Sequence, residues 1–365
     1  MKIANITNLL QQTAALSLQE SYDNCGLLTG NNDWDCKGIL CTLDVTEEIV
    51  QEAIAKGCNL IVAHHPIIFK GLKRLNGNDY VERTIIAAIK NDIAIYAIHT
   101  NLDNILEGVN GMIADKLGLI NRTVLAPKNN LLRKLYTFVP VEHSEKVRQV
   151  LFNAGAGSIG KYSDCSFSAN GEGTFKASEG ASPFVGEINK RHTESEVKLE
   201  VIFPEYLQSG IVKALKSAHP YEEVAYDIVS LLNVSQAIGS GLIGELPAPV
   251  PEAVFLKTLK QQFNLTSFRH TTLLNKPIQK VALCGGAGSF LTKNAIASGA
   301  DIYISSDFKY HEFFDAENKI IIADIGHWES EQFTIDILLV VLQSNFPTFA
   351  VLKSEINTNP VIYFQ

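Results

Sequence analysis

Residues 59–69, NLIVAHHPIIF, constrain the fold most: the apolar run Leu60–Ala63 ends in two adjacent histidines and a proline. Four aliphatic residues bounded by polar and turn residues read as a strand buried on both faces. Pro66 has no N–H for a neighbouring strand and disfavours helix at His65, so the strand stops there and both imidazoles enter a loop. Where the chain turns, two adjacent rings can splay around one cavity and serve neighbouring metal ions. The alternative is a hydrogen-bonded histidine pair at a strand end.

The flanking chain repeats a strand and helix grammar. GILCTLDV, residues 38–45, reads as a strand, and Thr46 caps a helix ending at Gly57. Short connections then favour a parallel sheet with a right-handed crossover. Residues 93–98 form the next strand and deliver His99, Asn101 and Asp103 at its C-terminal end, where open α/β sheets place their sites. The loop after the paired histidines carries Lys70, Lys73 and Arg74, either an anion-holding cluster or a solvated face. Asp23, in the turn SYDNCG, is expected to bond its own backbone.

Residues 132–232 read as β-α-β-β-α-β, a ferredoxin-like pattern, with residues 171–187 as a long mobile loop. The expected organisation is a two-lobed α/β/α core, residues 1–130 and 235–365, interrupted by an α+β insert, residues 131–234. LPAPVP, residues 246–251, reads as a proline-punctuated link. In the last third, the glycines of residues 285–289 either pack a helix on a strand or bring backbone N–H groups to a phosphate. Asp307, Lys309 and His311 follow a strand, and His327 and Glu331 lie four apart on one helix face.

Composition narrows the function. A net charge of -8 argues against a broad phosphate-backbone surface, so nucleic acid is a weak expectation. Six cysteines occur without a C-x-x-C pair, which leaves no thiolate zinc spacing and no disulfide framework. No run of about 18 apolar residues is present, and the N-terminal residues read as an amphipathic helix of a cytoplasmic protein. His64, His65, Asp103, His327 and Glu331 together supply three imidazoles and two carboxylates. Such a set suits two divalent cations about 3.5 to 4 Å apart, zinc, iron or manganese, bridged by Asp103 or Glu331. His99 or His311 is a candidate catalytic proton carrier, and Lys70, Lys309 or the 285–288 glycine turn a candidate phosphate contact.

TLDVTEE, NLIVAHHPIIFKGL, AIHTNLDN, SSDFKYHE and IGHWESE, in this order, resemble the family of GTP cyclohydrolase 1 type 2 homologs, the Ngg-interacting-factor-three-like proteins. The resemblance covers residues 1–130 and 238–350, and the intervening module is similar to the PII/CutA-like insert of the longer members. It implies that His64, His65, Asp103, His327 and Glu331 are the ligands of a dinuclear centre, in a toroidal homohexamer whose sites face an internal cavity. Tyr22 stands where many members have tryptophan. Two functions follow: a metal-dependent hydrolase of a small anionic or nucleotide-like substrate, or a non-catalytic metal-binding scaffold acting through its ring and inserts. No residue here selects guanine.

Overall fold

The computed structural model describes residues 1–364. It divides into two compact units, one built from Met1–Pro127 with the residues from Ala237 onward, the other from Lys128–Gln236.

The first unit contains two sheets. In the first, Gly26–Thr29, Ala94–Ala97, Leu60–Ala63, Ile39–Thr42 and Val351–Lys353 lie side by side in that order. All neighbours run parallel except the edge strand Gly26–Thr29. The three central strands are buried along their whole length, as their unbroken apolar runs require. Thr46 accepts from the Ile49 N–H and starts the helix Glu47–Ala55, and Asp79 does the same for Tyr80–Lys90. Ile49 and Ile85 from these helices pack with Ile61 and Ile95 of the sheet.

The second sheet orders Arg269–His270, Ile321–Asp324, Ile302–Ser306, Ile278–Ala287, Gly239–Val250 and Ile120–Pro127. Its middle three strands are parallel and the others antiparallel. Two expectations are corrected here. The expected link LPAPVP is the end of the strand Gly239–Val250. Pro247 and Pro249 fall where the register shifts between Glu245 and Val250, a place where strand prolines are tolerated, and Pro251 lies just past the strand and precedes the helix Glu252–Gln262. The expected glycine turn is also strand: Ile278–Ala287 continues through Gly285 and Gly286, and the next α-helix starts only at Thr292.

In the second unit the strands Leu132–Pro140, Ser166–Lys176, Arg191–Pro204 and Tyr226–Ser230 alternate with the helices Ser144–Asn153 and Gln208–Ala218. Ser166–Lys176 and Tyr226–Ser230 form the edges of one antiparallel sheet, and Val147, Leu151, Ile211 and Leu215 of the helices pack on Leu135, Leu199 and Val201. The hairpin is longer than expected, pairing from Ser166 with Val201 out to Lys176 with Arg191, so only residues 177–190 are irregular. Gly171 and Gly173 weakened the strand signal, but backbone pairing tolerates them at an edge. Among the described residues, no helix is long and apolar enough to cross a membrane.

Ile61→Ala would open a cavity in the fully buried first sheet and cost about 2 to 5 kcal/mol. Both tryptophans, Trp34 and Trp328, belong to this unit, so the loss reads out as a lower urea midpoint of tryptophan fluorescence.

Candidate metal centre

Three strand ends of the first unit supply the site. His64 and His65 leave the strand Leu60–Ala63, His99 leaves Ala94–Ala97, and the one-turn helix Thr100–Asp103 carries Asp103 round to them. From the second sheet, Ile321–Asp324 leads through Gly326 into the helix His327–Glu331. Gly326 has φ +92°, a left-handed backbone that lets the chain turn sharply into that helix.

The five expected ligands converge. His65 Nε2 lies 2.9 Å from Glu331 Oε2 and 3.4 Å from His327 Nε2, and His327 Nε2 lies 3.3 Å from the same carboxylate oxygen. The other oxygen, Oε1, is 3.8 Å from His64 Nε2, which is itself 3.6 Å from Asp103 Oδ1. Glu331 therefore belongs to two donor groups, one with His65 and His327 and one with His64 and Asp103. His99 joins as a fourth imidazole, its ring 5.2 Å from His64 and 5.3 Å from His65.

Each imidazole is oriented from behind through Nδ1. His65 donates to Asp44 (2.7 Å), His99 to Asp23 (2.9 Å) and His327 to Asp307 (2.6 Å), while His64 donates to the Ile98 carbonyl (2.9 Å). All four Nε2 atoms are left for the cavity. Such partners fix tautomer and ring orientation in metal sites. Asp23 does bond the next backbone N–H, at Asn24, but it also accepts from Thr100 and His99, so its role extends beyond the expected local turn. Asp44 carried no separate signal, being the polar end of a strand motif. Asp44 also accepts from Thr358 (2.6 Å), which ties the C-terminal segment to the site.

His64 is decisive. A carbonyl has no proton to share, so His64 carries its hydrogen on Nδ1, and complete burial pushes its pKa down to about 4. Its Nε2 is then a bare lone pair facing two carboxylates. Both His64 Nε2 and Asp103 Oδ1 are buried without a hydrogen-bond partner. Lone pairs facing carboxylate oxygens repel unless a positive centre lies between them, either a proton on Asp103 or a divalent metal ion. The donor set thus fits divalent metal.

The remaining charges have clear causes. Burial opposes ionisation of His65, yet hydrogen bonds to Asp44 and Glu331 raise its pKa to about 10. His327 rises to about 11 against its burial, through the charges of Glu331 and Asp307. Glu331 is held well below the usual carboxylate range despite burial, His327 contributing most. Asp103 is pushed up by burial and by Glu331. Cys284 is also pushed up, by burial and by the charges of Asp103 and Glu331.

The glycines serve proximity. A Cβ on Gly286 would lie 2.4 Å from Glu331 Oε1, and its φ of +63° disfavours a side chain anyway. Their N–H groups are already used, Gly285 on Asn110 (2.9 Å) and Gly286 on Ser330 (3.0 Å), so these two hold no phosphate. Other expected contacts also fall away. His311 is exposed and packs against Tyr310 and Phe314, outside the cavity, because its 3-10 helix Tyr310–Ala316 turns it away. Lys70, Lys73, Arg74 and Lys309 are exposed and do not line it. The cation that does is Arg269, placed by Asp324 and the Phe308 carbonyl, and it was missed because a lone arginine in a two-residue edge strand has no motif. The cavity of about 730 Å³ is also walled by Phe69, Phe268, Phe290, Trp328 and Tyr363.

Fold and site together define a two-sheet α/β protein with a histidine-carboxylate centre at its strand ends. Residues 1–360 match the family model Duf34/NIF3 (NGG1p interacting factor 3), and the chain belongs to that family. It is 41% identical over 332 residues to the GTP cyclohydrolase 1 type 2 homolog of Halalkalibacterium halodurans, covering 90% of this chain and 89% of that one. To the protein of the same name from Bacillus subtilis it is 37% identical over 364 residues, 98% and 97% of the two chains. Among solved structures, a Bacillus cereus protein related to NIF3 superposes with a TM-score of 0.88 at 37% identity, covering 100% of this chain and 99% of the other. A Staphylococcus aureus protein does so with a TM-score of 0.77 at 30% identity, with the same coverage.

In metal-free protein, His65 and His327 bind protons more tightly than in the unfolded chain. Their stabilisation is complete below the unfolded histidine pKa of roughly 6.5 and is lost as pH rises towards about 10 and 11. Melting of chelator-treated protein should fall across that window, and Glu331→Gln should flatten the slope.

Proposed function

We propose that this chain holds two divalent metal ions and is a metal-dependent hydrolase of a small anionic or nucleotide-like substrate. The observation that carries this is the unpartnered, buried pair His64 Nε2 and Asp103 Oδ1, facing the shared carboxylate of Glu331. His64 and Asp103 would hold one ion, His65 and His327 the other, and Glu331 both. Bound there, the ions would supply Lewis acidity and lower the pKa of water, which is hydrolytic chemistry.

The protein's own groups supply the rest. His99, with Nδ1 on Asp23, presents Nε2 to the cavity and is suited to carry a proton there. Arg269 offers positive charge to an anionic group, and Phe268, Phe290 and Trp328 offer apolar faces for a planar one. The relatives' name speaks of GTP; in this cavity nothing distinguishes guanine from another base. The family resemblance further supports a hexameric ring. The antiparallel β-α-β-β-α-β order of residues 128–236 supports a ferredoxin-like, PII/CutA-like insert.

Elemental analysis of the purified chain should find two equivalents of zinc, iron or manganese, and a nucleotide and phosphoester screen should find turnover restored by that metal. Asp103→Ala should abolish turnover while the protein stays folded. Asp44→Asn, which alters the group behind His65 and its contact with Thr358, should weaken metal binding by about 10- to 100-fold. Less than one equivalent of metal would sink the centre itself. Two equivalents without turnover of any compound would sink the hydrolase and leave a metal-binding scaffold.

A further inference from the structure

The sheet of the second unit packs its helices on one face only. Along Arg191–Pro204, Leu199, Val201 and Phe203 enter that core, whereas Glu196 and Lys198 border a cavity of about 860 Å³ on the other face. Residues 177–190 fold over this cavity and contribute Phe184 to its wall, anchored where the Ser182 N–H donates to Glu222 (2.9 Å).

Its lining is aromatic and acidic. The Tyr221 ring lies 5.9 Å from Phe175 and 6.3 Å from Phe184, tilted by 58° and 47°, so the three rings wall the space without stacking flat on one another. Tyr221 donates its hydroxyl to Glu196 Oε1 (2.9 Å). Glu196 is only 8% exposed, and its second oxygen takes no hydrogen bond among the described residues. Room for that oxygen is made by Gly173, where a Cβ would sit 2.0 Å away. Glu172, Glu222 and Glu223 add negative charge. Two lysines border the cavity: Lys198 is committed to Glu200 (2.8 Å) and to the Tyr136 ring (4.4 Å), and Lys176 is exposed at the end of its strand, so the four glutamates outnumber them. A phosphate or carboxylate ligand would meet repulsion here.

We propose that this cavity binds a small organic ammonium ion, its charge against Glu196 and its alkyl groups against Tyr221, Phe175 and Phe184. Ring faces carry negative electrostatic potential and attract desolvated cations, and a buried carboxylate adds a charged partner. The site is separate from the metal centre in residues and in chemistry.

Calorimetric titration of the full chain with choline, and with its neutral isostere 3,3-dimethylbutan-1-ol, tests the assignment. Choline should bind saturably at one site per chain, with the neutral compound about tenfold weaker or worse. Glu196→Gln should weaken choline binding by about tenfold or more, and Phe184→Ala, in the covering segment, should weaken it without changing the circular dichroism spectrum. Equal binding of the two compounds, or no saturable binding of choline, overturns the proposal. So does choline binding that Phe184→Ala leaves intact. Should Glu196→Gln fail to fold, the comparison of choline with its isostere on the unaltered chain still decides.

Discussion

A single buried carboxylate sets the terms for the first unit. Glu331 is 2% exposed and faces three imidazole nitrogens, two near Oε2 and one near Oε1. An ionised carboxylate taken out of water is costly unless positive charge and donors surround it. Two protonated histidines meet that need in the metal-free chain, and divalent cations would meet it better because they also satisfy His64 and Asp103. Around this demand the backbone is arranged: a helix that brings His327 and Glu331 to one face, and a glycine strand end with no Cβ to block the carboxylate.

The second constraint is orientation. A histidine ring can turn about its bonds, and four rings within a few ångströms would otherwise adopt many arrangements. Asp44, Asp23, Asp307 and the Ile98 carbonyl remove that freedom from the far side of each ring. Asp44 and Asp307 lie at or just beyond strand ends, like the histidines they hold. The C-terminal ends of the parallel strands therefore supply His64, His65 and His99 and also Asp44 and Asp307 behind the rings, while Asp23 comes from the turn before the edge strand Gly26–Thr29.

The second unit solves a different problem with a four-stranded antiparallel sheet. One face is buried by two helices, and the other would be an open surface bearing aromatic rings. The segment 177–190 covers part of it and leaves a cavity with a carboxylate in its wall. Exposed apolar surface of that kind usually has a use.

Much of this was legible in the amino-acid order. Runs such as Leu60–Ala63 and Ala94–Ala97 announced buried strands through unbroken apolar character, and the polar residues following them announced the site. The i, i+4 spacing of His327 and Glu331 fixed their common face. Local order determined these features because each depends on neighbours in the chain. It was silent on Asp44 and Arg269, and it misplaced His311, because which side chains meet across 20 to 300 residues depends on how sheets stack and where turns aim. Likewise glycines and prolines looked like loops at residues 171–173 and 246–251, although the first stretch pairs with Arg191–Pro204 and residues 246–250 continue the strand Gly239–Val250. Only the tertiary structure decided that His64 would face Asp103 and Glu331, since desolvation and distance are properties of the packed molecule.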